Sequence, residues 1–415
     1  MKISGFTSLS APGVGLLSDG QKAVLASLWV ENVEEAVSLV AAVEHANVES
    51  EVLVPIRAAL APFMLALPEE ELARWGSALH PPALGCRVEP ETMAAYAATG
   101  RVTAGRASSG MSEAPLPVSV RLMDRLGPVK AQGERGTCVA FTLVGLREYL
   151  LEKPVRLSEQ HMYWGCKQRD GFEGEAGSTI HDGLSALRAF GVCPEADWPY
   201  SDAVIAHNES HGPVPAQAAK SAKGFRMQYT TAVSRSNVVD IKQVLAGVDA
   251  QEGMPVAISV LVFNSWLHSY ATQQTGKITM PLPGEEPQGG HAMLVVGYQE
   301  DTSAPGGGYL ILRNSWSSEW AGHSPEAPGH AVMPYGYYER FAMEAYSGEV
   351  RAVASPQELA ETGLQFLTLE EDARDKYGKL LRAGCKVVVD PRDGASFLKA
   401  SPANIAEFST HANAN

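Results

Sequence analysis

Three apolar runs, PVAISVLVF at 255–263, HAMLVVGY at 291–298 and YLILRNSW at 309–316, follow one another in the second half of the chain. Their length and composition predict buried strands. Ahead of them, CVAFTLVGLREYLL at 138–151 and the stretch around 182–190 carry helical patterns. Helices first and strands later make an α+β order.

With 415 residues, 45% hydrophobic and 19% charged, the chain can bury cores for two or three domains. A net charge of −14 without any cluster of Lys and Arg argues against backbone-driven nucleic-acid binding. No apolar run is long enough to cross a bilayer, and the N-terminus lacks the apolar core and small-residue cleavage site of a secretory signal. Cys86, Cys138, Cys166, Cys193 and Cys385 are odd in number and irregularly spaced. They favour free thiols in a reducing cytoplasm over a disulfide framework or a zinc site. His161, His181 and His268 lack ligand spacing, so no metal and no cofactor are expected.

Three regions are expected. Residues 1–110 read as a helical module. Ser18 is placed to cap one helix, and Asn32 with Glu35 to form a capping box for VEEAVSLVAAVEH. Pro68 and Pro90 suit the first turns of two more, the last stopped by Gly100. A Gly, Ser, Ala and Pro-rich linker occupies 101–117, and residues 111–350 hold the α+β domain. Residues 351–415 suggest a small α/β appendage: a helix TLEEDARDKYGKLLRAG, then a strand CKVVVD and a segment ASFLKA.

The stretch VKAQGERGTCVAF, 129–141, sets Cys138 in a polar, glycine-bearing loop at the start of the helix that follows. An isolated cysteine there is ordinarily a small buried hydrophobe. A helix N-terminus, however, favours the thiolate through its unpaired N–H groups and dipole. Gln132 could offer an amide to an oxyanion, and His291 and Asn314, on two strand-like runs, could supply a base and its orienting group.

These motifs, taken in order, resemble the papain-like cysteine peptidase family in its bacterial type. LPVSVRLMDRLGPVKAQGERGTCVAF resembles the nucleophile segment, and LSEQHMYWGC and GSTIHDGLSALRAFGV with EADWPY resemble the segments that follow it. GGHAMLVVGY and YLILRNSWSSEW resemble the His and Asn segments. The resemblance implies a two-lobed fold, a helical lobe beside an antiparallel β-barrel-like lobe. It implies Cys138 as nucleophile, His291 as base and then acid, Asn314 orienting the imidazole, and Gln132 with the Cys138 N–H as the oxyanion hole. Trp316 would shield the His291 to Asn314 bond. Gly177, Ser178 and Gly290 stand where relatives bind substrate backbone, and Ile180, Ala257 and Ser259 where the pocket for the residue one before the scissile residue would be, an apolar one. Arg135 replaces a family cysteine three residues before the nucleophile, so a disulfide common in secreted members is lost. Val139 replaces a tryptophan.

The expected activity is endopeptidase cleavage of peptide or protein substrates. Two alternatives stand beside it: a dedicated maturation protease or transpeptidase acting on one precursor, and a non-catalytic interaction protein on a peptidase fold. The N-terminal module either docks substrate or blocks the cleft. Docking or regulation is favoured, because the spaced Glu, Arg, Phe and Asn of an inhibitory propeptide helix are missing.

Overall fold

The computed structural model describes residues 8–9, 17–45, 50–66, 68–70, 82–102, 115–151, 154–227, 230–247 and 252–348, and beyond them 365–374, 380–381, 383, 386–389 and 397–399. The chain divides into two compact units, Met1–Gly348 and Glu349–Asn415.

In the first unit, α1 (Asp19–Ser27) opens on a capping box: Gln21 N–H donates to the Ser18 hydroxyl, and the Ser18 N–H donates back to the Gln21 side chain. The Asn32 side chain accepts from Glu35 N–H at the start of α2 (Val33–His45), which buries Val33, Val37 and Val40. The helix α3 (Val54–Ala66) escapes the sequence pattern because Pro62 lies inside it. The helix α4 (Pro90–Thr99) begins on its proline and stops at Gly100, φ 65°. Most of the helix expected from Pro68 onward, and linker residues 103–114, lie outside the described residues.

The helices α5 (Cys138–Tyr149), α6 (Glu159–Lys167) and α7 (Ile180–Ala189) form the helical side. Opposite them runs an antiparallel sheet of β1 (Ser119–Arg121), β2 (Thr230–Ala232), β3 (Val256–Phe263), β4 (Pro287–Glu300), β5 (Gly308–Arg313), β6 (His330–Pro334) and β7 (Ala342–Gly348). Its order is β2-β7-β3-β4-β5-β6, with β1 beside β4. The sheet is open, so the barrel-like lobe expected from sequence is not a closed barrel. All eight residues of β3 are buried, which explains its unbroken apolar run.

The N-terminal helices share this unit's hydrophobic core. Lys277 Nζ lies 2.7 Å from Glu31 and 3.0 Å from Glu35 and sits over the Trp29 ring. Ala271 N–H donates to the Ser38 hydroxyl. Among the described residues no helix is long and apolar enough to cross a membrane.

In the second unit, β8 (Gln365–Thr368), β11 (Lys386–Val389) and β12 (Phe397–Lys399) form an antiparallel sheet, and β9 (Ala373–Arg374) pairs with β10 (Leu380–Leu381). The strand at 386–389 matches the one expected in CKVVVD, and the segment ASFLKA contributes β12. Within the helix expected over 368–384, the described residues include strands β9 and β10. Leu381 packs with Val387 and Val389, and that tertiary contact outweighs the local helix propensity of a Glu, Lys and Leu-rich stretch.

Candidate active site

Cys138 is the first residue of α5 and is fully buried. Its Sγ accepts from Ala292 N–H at 3.4 Å, which ties the helix start to β4. Burial pushes the thiol up to about 12, while N–H groups of Ala292, Gly85, Val139 and Cys138 itself act against that rise.

His291 is on β4, and Asn314 follows the last residue of β5, where Arg313 pairs with Leu294 of β4. His291 Nε2 lies 2.8 Å from Asn314 Oδ1. Ser315 N–H also donates to that oxygen, so Oδ1 is the acceptor and Nε2 must carry the proton. The neutral imidazole then keeps its lone pair on Nδ1, which has no hydrogen-bond partner among the described residues. Trp316 stacks on the imidazole with centroids 4.4 Å apart, and Trp266 meets it edge-on at 6.2 Å. Sequence reasoning missed Trp266, whose short helix carries no motif.

Burial lowers His291 to about 4, with the Asn314 bond opposing. A histidine held neutral in the closed state binds its proton near 6.5 once exposed. The stability it contributes is therefore present above pH 6.5 and lost as pH falls toward 4, reaching about 3 kcal/mol at pH 4. His161, lowered to about 4 by burial, acts with the same sign; Glu159, raised to about 7 by burial, acts with the opposite one. Urea midpoints measured from pH 7 to 4.5 are expected to fall less steeply in His291→Gln than in the wild type. Equal slopes would reject the assignment of this pH dependence to His291.

Gln132 is buried, and its amide is oriented from both ends. Oε1 accepts from the Ser315 hydroxyl at 2.6 Å, which turns Nε2 toward Arg135 O at 2.9 Å and Ala83 O at 3.0 Å. Arg135, where the family has a cysteine, reaches Gln160 and the carbonyls of Ser201 and Glu209. Cys86, Cys138, Cys166 and Cys193 are free buried thiols; Cys385 lies outside the described residues.

The Ala83 contact belongs to a segment that fills the groove beside Cys138. Cys86 N–H donates to Gly290 O at 3.1 Å, Arg87 N–H to Ser178 O at 2.8 Å, and Ser178 N–H to Gly85 O at 3.1 Å. Cys86 thus bridges Ser178 in parallel and Gly290 in antiparallel sense. Gly177, the neighbour of Ser178, is held by two side chains: its N–H donates to Tyr163 Oη and its carbonyl accepts from Lys167 Nζ, both at 2.9 Å. Lys167 is completely buried against Asp170 at 2.8 Å.

Ser259 pairs with Ala292 on β4 and with Glu344 on β7. The Glu344 carboxylate accepts from Ile180 N–H, His181 N–H and the Ser259 hydroxyl. The pocket expected to be apolar around Ile180 and Ser259 therefore carries a carboxylate; Ala257 lies two residues away on β3, opposite Leu294 and Tyr346. Glu344 was missed because it is 164 residues from Ile180 and only sheet register joins them.

The sequence profile of the papain family of cysteine proteases matches residues 114–324, slightly more than half of the chain. The chain belongs to that family. An uncharacterized peptidase C1-like protein of Acanthamoeba polyphaga mimivirus is 28% identical over 40% of this chain and 50% of its own length. Peptidase 1 of Dermatophagoides pteronyssinus is 27% identical over 54% and 61% respectively. The chain thus spans half to three-fifths of these curated relatives. The crystal structure of xylellain, a cysteine protease from Xylella fastidiosa, covers 66% of this chain and 98% of its own, at 22% identity and a TM-score of 0.52. That likeness is one of fold. Within this chain, Gln132 is bonded to Ser315 beside Asn314, Asn314 to His291, and Cys138 to the N–H of Ala292, the neighbour of His291.

Proposed function

We propose that the chain is a cysteine endopeptidase held latent by its own residues 83–87. The observation that carries the reading is a thiol at a helix N-terminus bonded to the N–H of the residue after His291, whose own Nε2–H is committed to Asn314, which leaves Nδ1 to act as base. His291 Nδ1 takes the proton from Cys138, and the sulfur attacks the peptide carbonyl. The oxyanion is met by Gln132 Nε2–H and the Cys138 N–H. The imidazolium then protonates the leaving amine, and water, deprotonated by the same histidine, hydrolyses the thioester.

Latency is supported by what the groove already contains. Ala83 O accepts from the Gln132 amide where a substrate oxygen would, Gly85 lies at Cys138, and Cys86 takes the backbone partners Ser178 and Gly290. This favours blocking over the docking role. Only glycine fits at 85, since a Cβ there would come within 2.2 Å of the Gly136 backbone. Gly85→Val is therefore expected to unseat the segment and to speed adduct formation at Cys138 by an epoxide-type thiol inactivator at least tenfold, read by intact mass. Peptide hydrolysis by the same variant tests the activity, and a Gly85→Val protein that labels no faster than wild type would sink the latency.

A further inference from the structure

We infer that Arg135 is a positioning residue of the oxyanion hole: its guanidinium fixes the loop whose backbone aims the Gln132 amide at the reacting oxygen. The inference rests on the peptidase reading and adds a residue to its machinery.

Gln132 Nε2 carries two N–H groups, and each has its own partner. One donates to Ala83 O at 3.0 Å, in the place of a substrate oxygen, and the other to Arg135 O at 2.9 Å. The Arg135 carbonyl also accepts from Thr137 N–H at 2.8 Å, one residue before the nucleophile. Its position therefore sets the direction of the amide and the start of the cysteine helix together. It lies in a loop, 132–137, that contains two glycines and neither helix nor strand, so the loop needs anchors from outside.

The Arg135 side chain is the anchor, and it is only 3% exposed. One terminal nitrogen donates to Gln160 Oε1 at 2.8 Å and to Ser201 O at 2.7 Å, and the other to Glu209 O at 2.5 Å. Gln160 Nε2 carries the chain of bonds on to Ser210 O at 2.9 Å. The Tyr163 and Tyr200 rings face the guanidinium at 5.2 and 5.4 Å, and Tyr200 Oη donates to Gln132 O at 2.8 Å. The fork thus clamps the oxyanion loop to both ends of the 201–210 loop. Among the described residues Arg135 forms no ion pair. A buried cation that meets only neutral acceptors recovers little of its desolvation cost as stability, whereas a planar fork with three fixed acceptors confers geometry.

The unblocked Gly85→Val protein tests this with a peptide aldehyde, whose carbonyl carbon bonds the Cys138 sulfur while its oxygen takes the thiol proton, beside the same peptide as the unreactive alcohol. Arg135→Met is expected to weaken aldehyde binding by roughly tenfold or more and alcohol binding by less than about twofold. Arg135→Lys should not restore it, because an ammonium cannot span the three acceptors of the fork. With Gln132→Ala already present, Arg135→Met should cost less than about twofold further, since it acts through that amide. Aldehyde affinity unchanged by Arg135→Met, or a loss just as large without Gln132, overturns the inference. Should Arg135→Met fail to fold, Arg135→Lys, which keeps the charge, is compared in the same two parents. Should Gly85→Val leave the groove filled, iodoacetamide labelling of Cys138 in the full chain decides. Arg135→Met and Gln132→Ala both release Ala83 O, so each should speed labelling by the same factor and the double variant no further. Rates that multiply, or that stay at the wild-type value, overturn the inference. Peptide hydrolysis separates the two readings: kcat should fall with the aldehyde affinity while KM stays within about twofold. Aldehyde binding that depends on Arg135 without any turnover would refute the peptidase and leave the role of Arg135 standing.

Discussion

Cys138→Ala, introduced into the unblocked Gly85→Val protein, is expected to lower peptide hydrolysis by at least three orders of magnitude. Among the described residues no other group is placed to replace the sulfur: Cys166 and Cys193 are buried thiols elsewhere, Cys86 sits on the segment that Gly85→Val unseats, and the remaining machinery offers an oxyanion site and a base without a nucleophile. The residual rate should be that of water attack assisted by Gln132. Removing one sulfur from the first residue of α5 leaves Ala292 N–H without its acceptor, so a modest stability loss of about 1 kcal/mol should accompany the change. Hydrolysis measured beside thermal unfolding distinguishes the two effects. Turnover within tenfold of the parent would end the assignment of Cys138 as nucleophile.

The second large effect lies away from the sulfur. Lys167→Met is expected to cost about 3–5 kcal/mol, because it strands the Asp170 carboxylate in a dry interior and strips Gly177 O of its donor. Replacing both partners, Lys167→Met with Asp170→Leu, should recover most of that loss, since the uncompensated charge is gone. All seven tryptophans precede residue 349, so urea unfolding followed by their fluorescence reports on the first unit alone. A single-variant loss below 1 kcal/mol would mean that the pair is not buried in solution. Gly177 precedes Ser178, whose N–H and carbonyl pair with the segment in the groove, so the single variant should also weaken substrate binding more than it slows the chemical step.

The local signals in the chain were read correctly where the physics is local. Ser18 and Asn32 cap helices because their side chains bond to N–H groups three residues on, and Gly100 stops α4 because it tolerates φ 65°. The run at 255–263 forms β3 because a strand buried on both faces needs no polar alternation. Cys138, Gln132, His291 and Asn314 each sit in a short motif with its neighbours, so the sequence singles them out one at a time as candidates.

What the sequence could not carry are contacts whose partners are far apart along the chain. PALGCRVEP, 82–90, has no periodicity, because its backbone bonds to Ser178 and Gly290 rather than to itself. Glu344 looks like one more polar residue of an edge until β7 pairs with β3 and brings it to Ser259 and the start of α7. The segment at 368–384 carries a helical composition, and its described residues include paired strands because Leu381 finds Val387 and Val389. Periodicity and capping depend on residues a few positions apart, so the sequence alone determined the elements and the chemical groups available. Which groove those groups share, what fills it and which charge lies at its floor depend on strand register across more than a hundred residues, and only the tertiary structure decided them.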